Sequence, residues 1–147
     1  MAKSMLGQNL LRADLVVNYT ALTEASTTST QTIATLPKGA VVVDAFFDVV
    51  APLADAGSIS AVTCKIGPAA STAAYMAATS VFDGTATAGT RYATATTRST
   101  HRVLSSATAV LATFAATGAN FGDGSTTGLD SGAVRATVLY HILPLAA

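Results

Sequence analysis

Apolar and polar residues alternate at every second position along most of this chain, the spacing of strands with one face buried. Residues 14–21 set Leu15, Val17 and Tyr19 against Val16, Asn18 and Thr20, which predicts a half-buried strand. A polar, low-complexity loop follows over residues 24–31, then a short strand over 32–36. The strand stops at Pro37-Lys38-Gly39, where Pro presets φ and Gly accepts a positive φ. Residues 40–50 carry the clearest pattern. Val41, Val43, Ala45, Phe47 and Val49 form a continuous apolar face, assigned to the core because a one-residue slip would bury Asp44 and Asp48. Phe46 is then left on the outer face between two acids, to be shielded by a covering loop or a subunit contact.

Further strands are predicted over 59–66, 91–97, 102–106 and 108–116. In the last strand Val134, Ala136, Val138, Tyr140 and Ile142 face one way, with Arg135, Thr137 and His141 opposite. Residues 69–78, rich in alanine, read as one short helix. About eight short strands with one helical insertion predict an all-β, antiparallel β-sandwich of jelly-roll type, or a closed barrel. Residues 1–12 lack this alternation and read as an N-terminal arm with Leu6, Leu10 and Leu11 as anchors, preceding a single β-sandwich domain over 13–147.

Composition sharpens this picture. Alanine and threonine supply 31 and 23 of the 147 residues, Trp is absent and only 11% of residues are charged. Such side chains suit tightly stacked strands and leave few ionisable groups for chemistry. Apolar residues reach 50%, but no run approaches the roughly 20 that span a bilayer as a helix. The first residues carry Lys3 without the apolar run of a signal peptide, and Cys64 stands alone, so the chain is expected to stay in the compartment where it is made, a reducing cytoplasm. Cys64 is expected to pack as a small apolar residue.

Net charge is zero, which disfavours nucleic acid as a partner. The charges are segregated all the same. Asp44, Asp48 and Asp55 lie between Lys38 and Lys65 without a base, and Arg91, Arg98, His101 and Arg102 lie between Asp83 and Asp123 without an acid. They can pair strand to strand within one fold, or form complementary edges between subunits.

Candidate chemistry is sparse. The glycine-rich loop over 118–132 leads into a strand rather than a helix, so it does not fit a phosphate cradle. Asp123 and Asp130 match no calcium-loop spacing, and His101 and His141 lack the further ligands zinc needs. No nucleophile turn accompanies the serines. Asp44 and Asp48 share one strand about 13 Å apart, without the arrangement of a glycosidase pair. No cofactor or metal is expected, and a non-enzymatic role is. Phe121, in the middle of the glycine loop, points to a partner contact.

The run Thr32-Ile33-Ala34-Thr35-Leu36-Pro37-Lys38-Gly39-Ala40-Val41-Val42-Val43-Asp44-Ala45 resembles a recurrent opening of small virion proteins of tailed bacteriophages. There a short strand and a Leu-Pro-x-Gly-Ala-Val-Val turn precede a long strand. A strand ending in Gly67, a small-residue segment with Tyr75, and a valine-rich last strand ending at Tyr140 follow the same order. The chain departs from the pattern at Pro68 and in its long final loop. The resemblance implies a capsid decoration or cement protein on the virion surface, contacting the major capsid protein and itself as a homo-oligomer, a trimer by the same likeness, with no nucleic acid or membrane partner. Leu6, Leu10, Leu11, Phe46, Arg98, Arg102 and Phe121 are the candidate interface residues. A tail or head–tail connector component is the first alternative. A carbohydrate-binding module, which the jelly roll also hosts, is the second.

Overall fold

A computed structural model describes residues 10–23, 25–55, 57–93, 103–122 and 128–143. Eight strands appear in chain order: β1 (Leu11–Asn18), β2 (Thr28–Leu36), β3 (Ala40–Ala54), β4 (Ala61–Pro68), β5 (Met76–Ser80), β6 (Arg91–Tyr92), β7 (Thr108–Thr117) and β8 (Ser131–Ile142). A single 3₁₀ turn, Tyr19–Ala21, follows β1. The strands form two four-stranded sheets, ordered β1-β8-β3-β6 (sheet A) and β2-β7-β4-β5 (sheet B). First pairs with last, second with seventh, third with sixth and fourth with fifth, all antiparallel. This is one long hairpin wrapped into two layers, the jelly-roll sandwich.

The core lies between the sheets. Sheet A contributes Val17, Val42, Phe47, Val49, Val134, Ala136 and Val138, and sheet B contributes Val62, Cys64, Ile66, Met76, Val110, Ala112 and Phe114. Alanine and valine let the layers approach, and the large rings fill the remaining gaps. Tyr92 of β6 adds its ring to Phe47 at 5.6 Å between centroids. The turn after β2 forms as its residues dictate, with Gly39 at φ 87° and the Ala40 N–H donating to the Pro37 carbonyl at 3.2 Å.

The core face of β3 differs from its sequence pattern at one end. Ala45, Phe47 and Val49 are buried, but Val42 replaces Val41 and Val43, and Val43 is 44% exposed. The cause is a β-bulge: Val42 pairs with Tyr140 and Asp44 with Leu139, leaving Val43 without a counterpart on β8. One extra residue reverses the alternation behind it. Simple alternation read from Phe47 backwards therefore assigns Val41 and Val43 to the wrong side.

The expected helix over 69–78 is absent. The Ser71 N–H donates to the Pro68 carbonyl, Ala74 to Ser71, and Tyr75 to Ile66, so the chain turns back at once and runs into β5. Gly67 permits this, since a Cβ there would stand 2.3 Å from the Ser71 carbonyl oxygen. Alanine's helix propensity is worth only tenths of a kcal/mol per residue, and pairing β5 with β4 outweighs it. Residues 103–106, expected as part of a strand, form none; Leu104 instead exchanges backbone hydrogen bonds with Gly39 and Ala40 at 2.8 Å. Leu11 and Arg12, assigned to the arm, are the first residues of β1.

Candidate interaction surfaces

The strands of sheet A carry Arg12, Asp14, Asp44, Asp48, Arg91 and Arg135, whereas those of sheet B carry one charge, Lys65. On the outer face of sheet A these charges interlock. Arg12 Nε donates to Asp14 at 2.8 Å, and the Thr137 hydroxyl donates to the same carboxylate at 2.7 Å. Partial burial pushes the Asp14 carboxyl up. The hydrogen bonds from Arg12 and Thr137 and the charges of Arg12 and Arg135 outweigh that, leaving it below the ordinary carboxylate value. Across the sheet, Arg91 binds Asp48 through two nitrogens, at 2.7 and 3.2 Å.

The same arginine accounts for Phe46. Its guanidinium carbon lies 4.1 Å from the ring centroid, and the ring is only 5% exposed. The two residues of β6 thus act on both sides of the sheet, Tyr92 on Phe47 inside and Arg91 on Phe46 outside. Of the two ways to shield Phe46, cover from within the chain is the one found. Phe121 also turns inward. It is 1% exposed in the core cluster, with its N–H donating to the Ser26 carbonyl at 3.0 Å. A ring in a glycine-rich loop reads in sequence as exposed, whereas the fold buries it.

Leu10 stands 52% exposed and Leu11 is half-buried. Leu6, Arg98 and Arg102 lie outside the described residues. Asp130 donates its backbone N–H to the Ala54 carbonyl at 2.8 Å, and Asp123 lies outside the described residues. Among the described residues no three potential ligands converge on a metal position, and no helix is long and apolar enough to cross a membrane. Cys64 is wholly buried, which pushes its thiol pKa up, away from nucleophilic use.

The outer face of sheet B is nearly uncharged. β2 presents Thr28, Thr30 and Thr32, opposite Ala115, Thr113 and Leu111 of β7, and Thr63 and Lys65 of β4 continue the rows. Thr113 is 4% exposed, and its hydroxyl has no hydrogen-bond partner.

One corner of sheet A is apolar. Where β1 begins, β3 begins and β8 ends, the register brings Val41 beside His141 and Leu139 beside Asp44, with Val43 bulged between. Sequence patterning placed Val41 and Val43 in the core and gave no sign of this patch.

No family model and no curated protein sequence matches the chain. Two solved structures do. A chain of the cyanophage Pam1 capsid asymmetric unit superposes with a TM-score of 0.62 at 23% identity, over 94% of this chain and 88% of that one. A chain of the acid-stable capsid of Helicobacter pylori bacteriophage KHP30 superposes with a TM-score of 0.58 at 16% identity, over 90% and 86%. Both share the fold over nearly its full length.

Proposed function

We propose that the chain is a non-enzymatic structural component of a phage virion, a decoration or cement protein seated on the capsid exterior and made in the host cytoplasm. The observation that carries this reading is the reach of the likeness: chains of two phage capsid structures match it over 94% and 90% of its length. The side chains agree. The groups whose pKa values move, Asp14, Cys64, Tyr75 and Arg91, are explained by ion pairing on a sheet face or by burial, and they do not converge on a cleft. A sugar-binding reading wants exposed rings for stacking, and every described Phe and Tyr is buried or half-buried.

A ligand that binds only the assembled shell stabilises it by mass action. Such a protein adds contact between neighbouring major capsid subunits without chemistry. Antibody against the chain is expected to label the heads of intact virions of the encoding phage, and stripping the protein is expected to lower the melting temperature of the shell. Label confined to the tail would establish the connector alternative. Label appearing only after particle disruption would overturn an exterior position.

A further inference from the structure

Residues 87–92 are bonded to one another and fastened to the sandwich along one short seam. The Thr90 N–H donates to the Thr87 carbonyl and the Thr87 N–H to the Tyr92 hydroxyl, both at 3.2 Å, which ties the turn to β6 as one unit. The unit starts after Ala86, a residue 7% exposed in the core cluster, and its Gly89 holds φ 76° with open space around it. β6 pairs only two residues with β3, Tyr92 with Phe47 and Arg91 with Asp48. Two further hydrogen bonds complete the seam: the Gly89 N–H donates to the Val49 carbonyl at 2.7 Å, and the Val49 N–H to the Thr90 carbonyl at 3.0 Å. On its other edge β3 pairs with β8 from Ala40 to Ala54, so the seam with residues 89–92 is much the shorter of the two.

We propose that residues 87–92 are a strap that opens as a unit from the edge of β3 while both sheets stay intact, and that the Arg91 clamp makes this opening sensitive to salt. Two side chains close the seam, Tyr92 on the Phe47 ring inside and Arg91 on Asp48 and the Phe46 ring outside. The outer clamp stands in water: the side chain of Arg91 is 56% exposed and that of Asp48 21%. Salt screens an ion pair so placed, whereas the inner aromatic contact and the β3–β8 ladder carry no charge to screen. Short, exposed hydrogen-bonded segments open at lower free energy than the core they lie on. An open strap takes the guanidinium off the Phe46 ring and frees the Val49 N–H and carbonyl at the sheet edge. Sheet A thus holds a ring that is concealed or bare according to one exposed arginine.

The strap stands apart from the virion reading, and hydrogen exchange on the isolated protein tests it. The Val49 and Gly89 amides report the seam, since each donates across it, and the slowest amides of β8 report the sheets. Protection at Val49 and Gly89 is expected to be at least about tenfold lower than at those β8 amides. Raising sodium chloride from about 20 mM to about 0.5 M should lower it several-fold further and leave β8 unmoved. Arg91→Ala is expected to cut protection at both seam amides about tenfold, again sparing β8. Arg91→Lys, which keeps the charge but loses the two-pronged grip, should fall between. Tyr92→Ala, at the inner clamp, should lower both seam amides in parallel, as one unit requires. Seam protection equal to that of β8, or an Arg91→Ala loss spread evenly over seam and β8, would make β6 an ordinary part of the sheet and overturn the strap. Seam amides indifferent to salt would overturn its control by Arg91.

Discussion

The two outer faces of the sandwich solve one problem in opposite ways. Sheet A covers itself with paired charges: Arg12 with Asp14, and Asp48 with Arg91. Beneath that cover it keeps two side chains that the alternation would expose, Phe46 at 5% and Thr137 at 0% exposure. Sheet B uses threonine and alanine with Lys65 alone, leaving a nearly uncharged surface that holds the unpaired Thr113 hydroxyl. Exposed ion pairs contribute little stability, but they fix side chains in place, and in sheet A that fixing buries an aromatic ring. Small residues need no such fixing and give none.

The largest effects should ignore this difference, because the inner faces are alike. Phe47→Ala in sheet A and Phe114→Ala in sheet B each remove a fully buried ring, and each is expected to cost about 3–5 kcal/mol in urea denaturation. Strongly unequal losses would show that one sheet carries the core.

Outer positions should separate the sheets. Phe46→Ala is expected to cost on the order of 2–3 kcal/mol, the scale of a buried side chain. Leu111→Ala on the outer face of sheet B, half-exposed, is expected to cost less than about 1 kcal/mol. Matching losses in the same denaturation assay would remove the distinction between a roofed face and a bare one.

A change of opposite sign is expected at Thr113. Replacing its unpartnered hydroxyl by the methyl of valine should stabilise the protein by up to about 1 kcal/mol, since a buried polar group without a hydrogen bond is a cost. A rise in melting temperature would establish this, and a fall would mean that the hydroxyl is bonded in solution.

The smallest effect is acid dependence. Asp14 titrates lower in the folded chain than in the unfolded one, so its contribution is present above the ordinary carboxylate pKa and is lost as pH falls through the folded value. Melting temperature should therefore decline on acidification below about pH 4, and Asp14→Asn should make that decline shallower. Thr137→Val, removing one of the two side chains that donate to Asp14, should act the same way more weakly. An unchanged acid limb in Asp14→Asn would place the titrating carboxylate elsewhere.

By itself the sequence determined the fold class, because strand alternation and turn residues are local. Seven of the strands lie where the two-residue rhythm puts them, and the turn at Gly39 is written in Pro37-Lys38-Gly39. The eighth, β5, lies in the alanine segment read as a helix, because a weak local preference yields to a ladder with β4 that no local signal announces. Which of the candidate residues stay exposed was a tertiary decision. Phe46 is covered by Arg91, forty-five positions away in the chain, and Phe121 is buried in the core cluster. The corner with Val43 depends on one unmatched residue between β3 and β8. Alternation has a period of two, so a single bulge exchanges inside for outside. Only the pairing partner shows where that bulge falls.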